Sequence, residues 1–178
     1  HMAHPACDFA KEMMRVSLAQ TGVQLSDGAT NVMPVGPHRA EPGRNLTAEQ
    51  AWQNRDTVWR AWRLSYGHIR HSLETGFYQG WDLHPNQLPV RYVALYAFFL
   101  EGASPASARL RAFMDKAAQA TLLGDVFDDA ATGQGLLNYF LRGLSCGAIT
   151  QEEAQATGLT VTEFQTRSFL KILAGRRG

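Results

Sequence analysis

Apolar residues recur along most of the chain in steps of three, four and seven, the spacing of one face of an α-helix. In residues 8–20 a capping aspartate, Asp8, precedes Phe9, Met13 and Val16 on one face, with Ala10, Met14 and Leu18 alongside. Thr21-Gly22 closes this short amphipathic helix. Residues 23–28 then alternate apolar and polar before an Asp-Gly turn signal, the pattern of a short strand. Gly36, Pro37, Pro42 and Gly43 make residues 35–44 a loop. The capping box Thr47-Ala48-Glu49-Gln50 opens the longest periodic stretch, in which Trp52, Trp59, Trp62, Tyr66, Ile69 and Leu73 predict a long helix with an aromatic stripe, ending at Thr75-Gly76.

Residues 77–85 are rich in aromatic side chains and predict a second strand, which Pro85 ends. Leu88, Tyr92, Leu95, Phe98 and Phe99 crowd nearly every face of residues 87–100, as in a buried helix. Beyond Glu101-Gly102 the pattern is helical throughout, over residues 105–123, 130–144, 151–156 and 161–173, with capping boxes at Thr150 to Glu153 and Thr160 to Glu163. Helix, strand, helix, strand, helix and a helical tail follow the grammar of parallel β/α units. Two strands do not complete a parallel sheet, which is normally covered on both faces and flanked by neighbours. The expected class is therefore α/β, mostly helical, and part of a larger β/α architecture.

Composition narrows the function classes. With 178 residues, 45% hydrophobic and 19% charged, the chain has the make-up of a soluble globular domain. Lys and Arg number 17 against 16 Asp and Glu, and a net charge of +1 provides no field to gather nucleic acid or anionic lipid. No apolar run approaches the roughly 18 residues of a membrane span, and the start lacks the zones of a signal peptide. Cys7 and Cys146 stand far apart with no CxxC spacing, which argues against a zinc site or a disulfide framework and for a reducing cytoplasm. His1-Met2 reads as a tag remnant.

One string is more specific. Gly76-Phe77-Tyr78-Gln79-Gly80-Trp81-Asp82-Leu83-His84-Pro85-Asn86-Gln87 resembles the glycine, aromatic, glycine and Ile-His-Pro-x-Gln signature that closes the barrel in citrate lyase beta-subunit-like proteins of the HpcH/HpaI aldolase superfamily. Leu25-Ser26-Asp27-Gly28 resembles that family's penultimate strand, and residues 115–129 with the helix after them resemble its C-terminal extension. The wording is closest to an uncharacterised aldolase-like branch, and the likeness covers residues 5–175. It implies that residues 3–102 form the last β/α units of a (β/α)8 TIM barrel with a long inserted loop and helix. Residues 103–178 would form a C-terminal helical extension, the whole being completed by oligomerisation.

The resemblance also implies chemistry. The parent would be a metal-dependent carbon–carbon lyase or aldolase acting on a 2-oxo acid or acyl-CoA type substrate. In that family a glutamate and an aspartate on earlier strands hold the divalent metal (Mg or Mn), and an earlier arginine stabilises the enolate. No residues here correspond to them, so this chain alone is expected to lack the metal site and to be inactive. The expected partners are the parent's small-molecule substrate and further copies of the chain, with neither nucleic acid nor membrane.

Among candidate catalytic residues His84 comes first, at the end of a strand, where barrel enzymes place their sites. The competing reading is a histidine bonded to nearby backbone ahead of Pro85. Asp27 and Asp82 near strand ends suit orientation of a substrate or a metal-bound water, against plain turn capping. His68 and His71, three apart on the long helix, lack the acidic companions of a metal site and read as a solvated face. Asp125, Asp128 and Asp129 suit the start of a helix, although the resemblance implies that Asp128 or Asp129 contributes a lid to a neighbouring subunit's site. Arg55, Arg60, Arg63 and Arg70 share the aromatic helix without a glycine-rich phosphate cradle. An alternative function is a non-catalytic helical oligomerisation or partner-binding module built from that helix and the C-terminal ones.

Overall fold

A computed structural model describes residues 1–122 and 130–176. Among these lie seven helices: α1 (Pro5–Ser17), α2 (Ala48–Glu74), α3 (Leu88–Leu122), α4 (Ala130–Ser145), α5 (Gln151–Gln155), α6 (Val161–Thr166) and α7 (Phe169–Gly175). A 3-10 turn, Pro85–Gln87, precedes α3. The chain divides into two units, His1–Leu95 and Tyr96–Gly178.

Local chemistry sets most helix ends. The box at Thr47 forms as its spacing predicts, Thr47 accepting from the Gln50 amide while the Gln50 side chain accepts from the Thr47 amide. The boxes at Thr150 and Thr160 form likewise. Helix α1 starts four residues earlier than a cap at Asp8 predicts, because His4 caps it through its side chain and Pro5 occupies the first turn. The expected break after Glu101-Gly102 does not occur, and α3 continues through Pro105. The single helix expected over residues 161–173 splits at Arg167, whose φ of 53° is left-handed.

The expected barrel segment is not there. Among the described residues the fold is helical and contains no strand or sheet, so the partial (β/α)8 barrel is set aside. The two predicted strands meet only in one isolated parallel bridge, Ala29 with Trp81, beside a bond from the Asp27 amide to the Gln79 carbonyl, 2.9 Å. Each segment is short and punctuated by glycine and finds one neighbour, whereas parallel strands need partners on both sides and cover on both faces.

In the first unit the core is Ala61, Ile69 and Leu73 of α2 with Phe77, Val90 and Ala94. Helix α1 turns the opposite way from its pattern. Lys11 is its one buried residue, while Phe9, Met13, Met14 and Val16 face solvent, Phe9 being 66% and Val16 69% exposed. The second unit buries Leu110, Leu137, Phe140, Leu159, Phe169 and Ile172 almost completely. There Gly133 lets α4 approach α7, since a Cβ at this position would lie 2.4 Å from the Phe169 ring. Gly133→Ala is therefore expected to destabilise the protein by about 1–3 kcal/mol in urea denaturation. Gly135→Ala, with nothing within 4 Å of its Cβ, serves as the control and is expected to be neutral or slightly stabilising.

Candidate functional site

Polar residues of the first unit gather where α1, the last turns of α2 and the segments after each come together. Ser65, His68 and Ser72 of α2, at steps of three and four, are all buried, as are Lys11, Asp27, Thr30 and Gln87. Lys11 Nζ lies 3.0 Å from Asp27 Oδ2 and 3.1 Å from Asp8 Oδ1. The Lys11 ammonium also sits 5.1 Å from the centroid of the Phe77 ring, a cation–π contact. Ser72 Oγ donates to Asp27 Oδ2 at 2.5 Å, and the Gly28 amide donates to Asp27 Oδ1 at 2.7 Å. His71 Nε2 meets Asp8 Oδ1 at 2.8 Å.

These partners decide the charge states. Burial alone would raise the Asp27 carboxyl, yet the bonds from Ser72, Lys11 and Gly28 outweigh it and hold it below the ordinary carboxylate range. Burial would also lower Lys11, but Asp27 and Asp8 raise it above its usual value. The pair is thus ionised and hydrogen-bonded at neutral pH. Asp27 is the fixed partner of a cation here, with both oxygens engaged, rather than a base open to a substrate.

His84 and Asp82 stand apart from this cluster in role. His84 Nδ1 accepts from the Asn86 amide at 3.1 Å and caps the 3-10 turn. Asp82 Oδ2 accepts from Arg91 Nε at 2.5 Å. Gln87 joins the two resembling segments, its Nε2 donating to the Thr30 carbonyl at 2.8 Å and its Oε1 accepting from the Leu83 amide at 2.7 Å. Beside the cluster lies a cavity of about 10 Å³, walled by Thr30, Ser65, Ser72 and Gln79 among others. It has room for about one water molecule. Asp125, Asp128 and Asp129 lie outside the described residues.

His68 departs from the solvated face expected of it. It is buried, its Nδ1 bonds the Thr30 hydroxyl at 2.9 Å, and its Nε2 has no hydrogen-bond partner among the described residues. Sequence patterning alone does not point to Lys11, Ser72 or Arg91, whereas Gln87 closes the string that carries the resemblance. The 65, 68, 72 spacing of polar residues on α2 was the available signal for a buried polar stripe. Among the described residues no three His, Cys, Asp or Glu side chains are grouped to hold a metal ion. Asp8 and Asp27 face Lys11, and Asp82 faces Arg91, so these carboxylates do not fit the magnesium or manganese that the resemblance implies.

A family model described as a domain of unknown function, DUF6986, matches residues 1–172. No curated protein matches the chain. No solved structure matches it either. Among the described residues no helix is long and apolar enough to cross a membrane.

Burial lowers the His68 pKa, with His71 acting in the same direction and Asp27 against them. An unfolded chain takes up this proton near 6.5 while the buried ring resists it, so the contribution is intact above that pH and is lost as pH falls below it. His68→Gln is expected to flatten the decline in stability on acidification from about pH 6.5 towards 5, read by urea denaturation at stepped pH. An unchanged slope would remove His68 as its source.

Proposed function

The chain belongs to the DUF6986 family, whose description names no activity, and we propose that it serves as the C-terminal portion of a metal-dependent carbon–carbon lyase or aldolase. The substrate class is a 2-oxo acid or an acyl-CoA type thioester. One observation supports this reading beyond the resemblance itself. The two segments that carry it, about fifty residues apart in sequence, lie side by side and parallel through Asp27, Ala29, Gln79 and Trp81, with Gln87 bonded across to Thr30. The metal ligands belong to other polypeptide in this reading, because the carboxylates here are matched to cations. Asp27 then positions, held by Lys11, and His84 ends the second segment with its other ring nitrogen available for proton transfer.

A second reading is a module that binds a partner or further copies of the chain. It is favoured by α1, whose apolar residues face outward while its lysine is buried. Light scattering reports the self-associating form as a mass that rises with concentration.

The lyase reading is tested on a longer family protein that contains this sequence, assayed with magnesium or manganese against 2-oxo acid and acyl-CoA substrates. Metal-dependent carbon–carbon cleavage is expected, with His84→Ala lowering kcat by about 10²-fold or more. No cleavage of any substrate in those classes would contradict the activity, and unaltered turnover in His84→Ala would assign that histidine to structure.

A further inference from the structure

A hollow of about 300 Å³ on the N-terminal half of α2 is lined by Trp52, Arg55, Asp56, Trp59, Arg60 and Arg63. Trp52, Arg55, Asp56 and Trp59 stand at i, i+3, i+4 and i+7, and so do Asp56, Trp59, Arg60 and Arg63. Four residues at that spacing form the socket that receives one side chain of a facing helix, so the hollow is two successive sockets one turn apart. Trp52 and Trp59 remain 52% and 53% exposed, although tryptophan and arginine are the residue types that most often anchor protein interfaces.

Charge selects the occupant. Asp56 pairs with Arg60 at 2.7 Å, leaving Arg55 and Arg63 with no carboxylate partner among the described residues. A second copy laid on this face would set arginine against arginine. A small ligand would be walled by one helix only, whereas small-molecule sites bury most of the ligand's surface. We infer that this face of α2 docks an amphipathic helix of another protein. That helix carries two apolar side chains one turn apart, seated against Trp52 and Trp59, with Asp or Glu on their flanks facing Arg55 and Arg63. This deepens the second reading above and rests on it for the presence of a partner. It is independent of the lyase reading.

The test uses the full chain and two synthetic three-heptad peptides with leucine at the seam positions, one flanked by glutamate and the other by lysine. Tryptophan emission should change saturably with the acidic peptide, and the change should vanish in Trp52→Phe/Trp59→Phe. Arg55→Glu/Arg63→Glu should weaken acidic-peptide binding at least about tenfold and create binding to the basic peptide. Circular dichroism checks that each variant keeps its helices, and the exchange of peptide preference is itself a gain that a misfolded variant does not give. The inference is overturned by an absent or equal response to the two peptides, by preferential binding of oligodeoxythymidine, or by a dimer that shields both tryptophans. If the peptides fail while light scattering still shows self-association, this face is refuted and the module reading stands. A monomer that binds the acidic peptide keeps the inference and removes the homo-oligomer.

Discussion

A single buried ion pair governs the first unit. Lys11 and Asp27 come from segments sixteen residues apart and both are nearly inaccessible; Asp27 is the main compensation for Lys11 leaving water, and Ser72 and Lys11 together compensate Asp27. Turning α1 about its axis to bury Phe9 and Val16 would carry Lys11 to the surface and strand the Asp27 carboxylate among Ser72 and Phe77. Stranding that charge costs about 3–5 kcal/mol, and the Asp8 ion pair and the cation–π contact with Phe77 would be lost with it, whereas Phe9, Met13, Met14 and Val16 are already partly covered where they stand. Charge therefore decides which way α1 faces.

That competition explains much of what could and could not be read along the chain. Capping boxes at Thr47, Thr150 and Thr160 were legible because both partners lie within three residues and need nothing from the rest of the fold. Helical periodicity located α2 and α4 for the same reason. The face of α1 was not legible, since periodicity finds an apolar stripe but not the distant carboxylate that outbids it. His68 looked like a surface histidine until Thr30, far off in sequence, supplied a partner for one of its nitrogens. The two strands failed on cooperativity: each has strand-like residues, yet one bridge forms where a parallel sheet needs neighbours on both edges. Glycine at 102 looked like a helix end, but α3 runs on past it, with a Cβ there meeting the Tyr139 side chain at 2.5 Å.

The candidate site was legible in part. Asp27, Asp82 and His84 all fall beside the junction of the two resembling segments, but each is engaged in a local role: a lysine partner, an arginine partner and a helical cap. Asp27 and Asp82 have the chemistry of a scaffold that holds two segments in register, while the His84 cap engages one ring nitrogen, Nδ1. The outward residues of α1 and the tryptophans of α2 leave apolar and aromatic side chains exposed on both helices.

The central claim is that Asp27 is ionised in the interior because Lys11 lies against it. A carbon-13 NMR titration of the Asp27 carboxyl tests it most directly. The account predicts a midpoint below the ordinary 3.8 in the native chain and an upward shift in Lys11→Met, where burial acts with less opposition. A native midpoint at or above 3.8, or one unmoved by loss of the lysine, would contradict it.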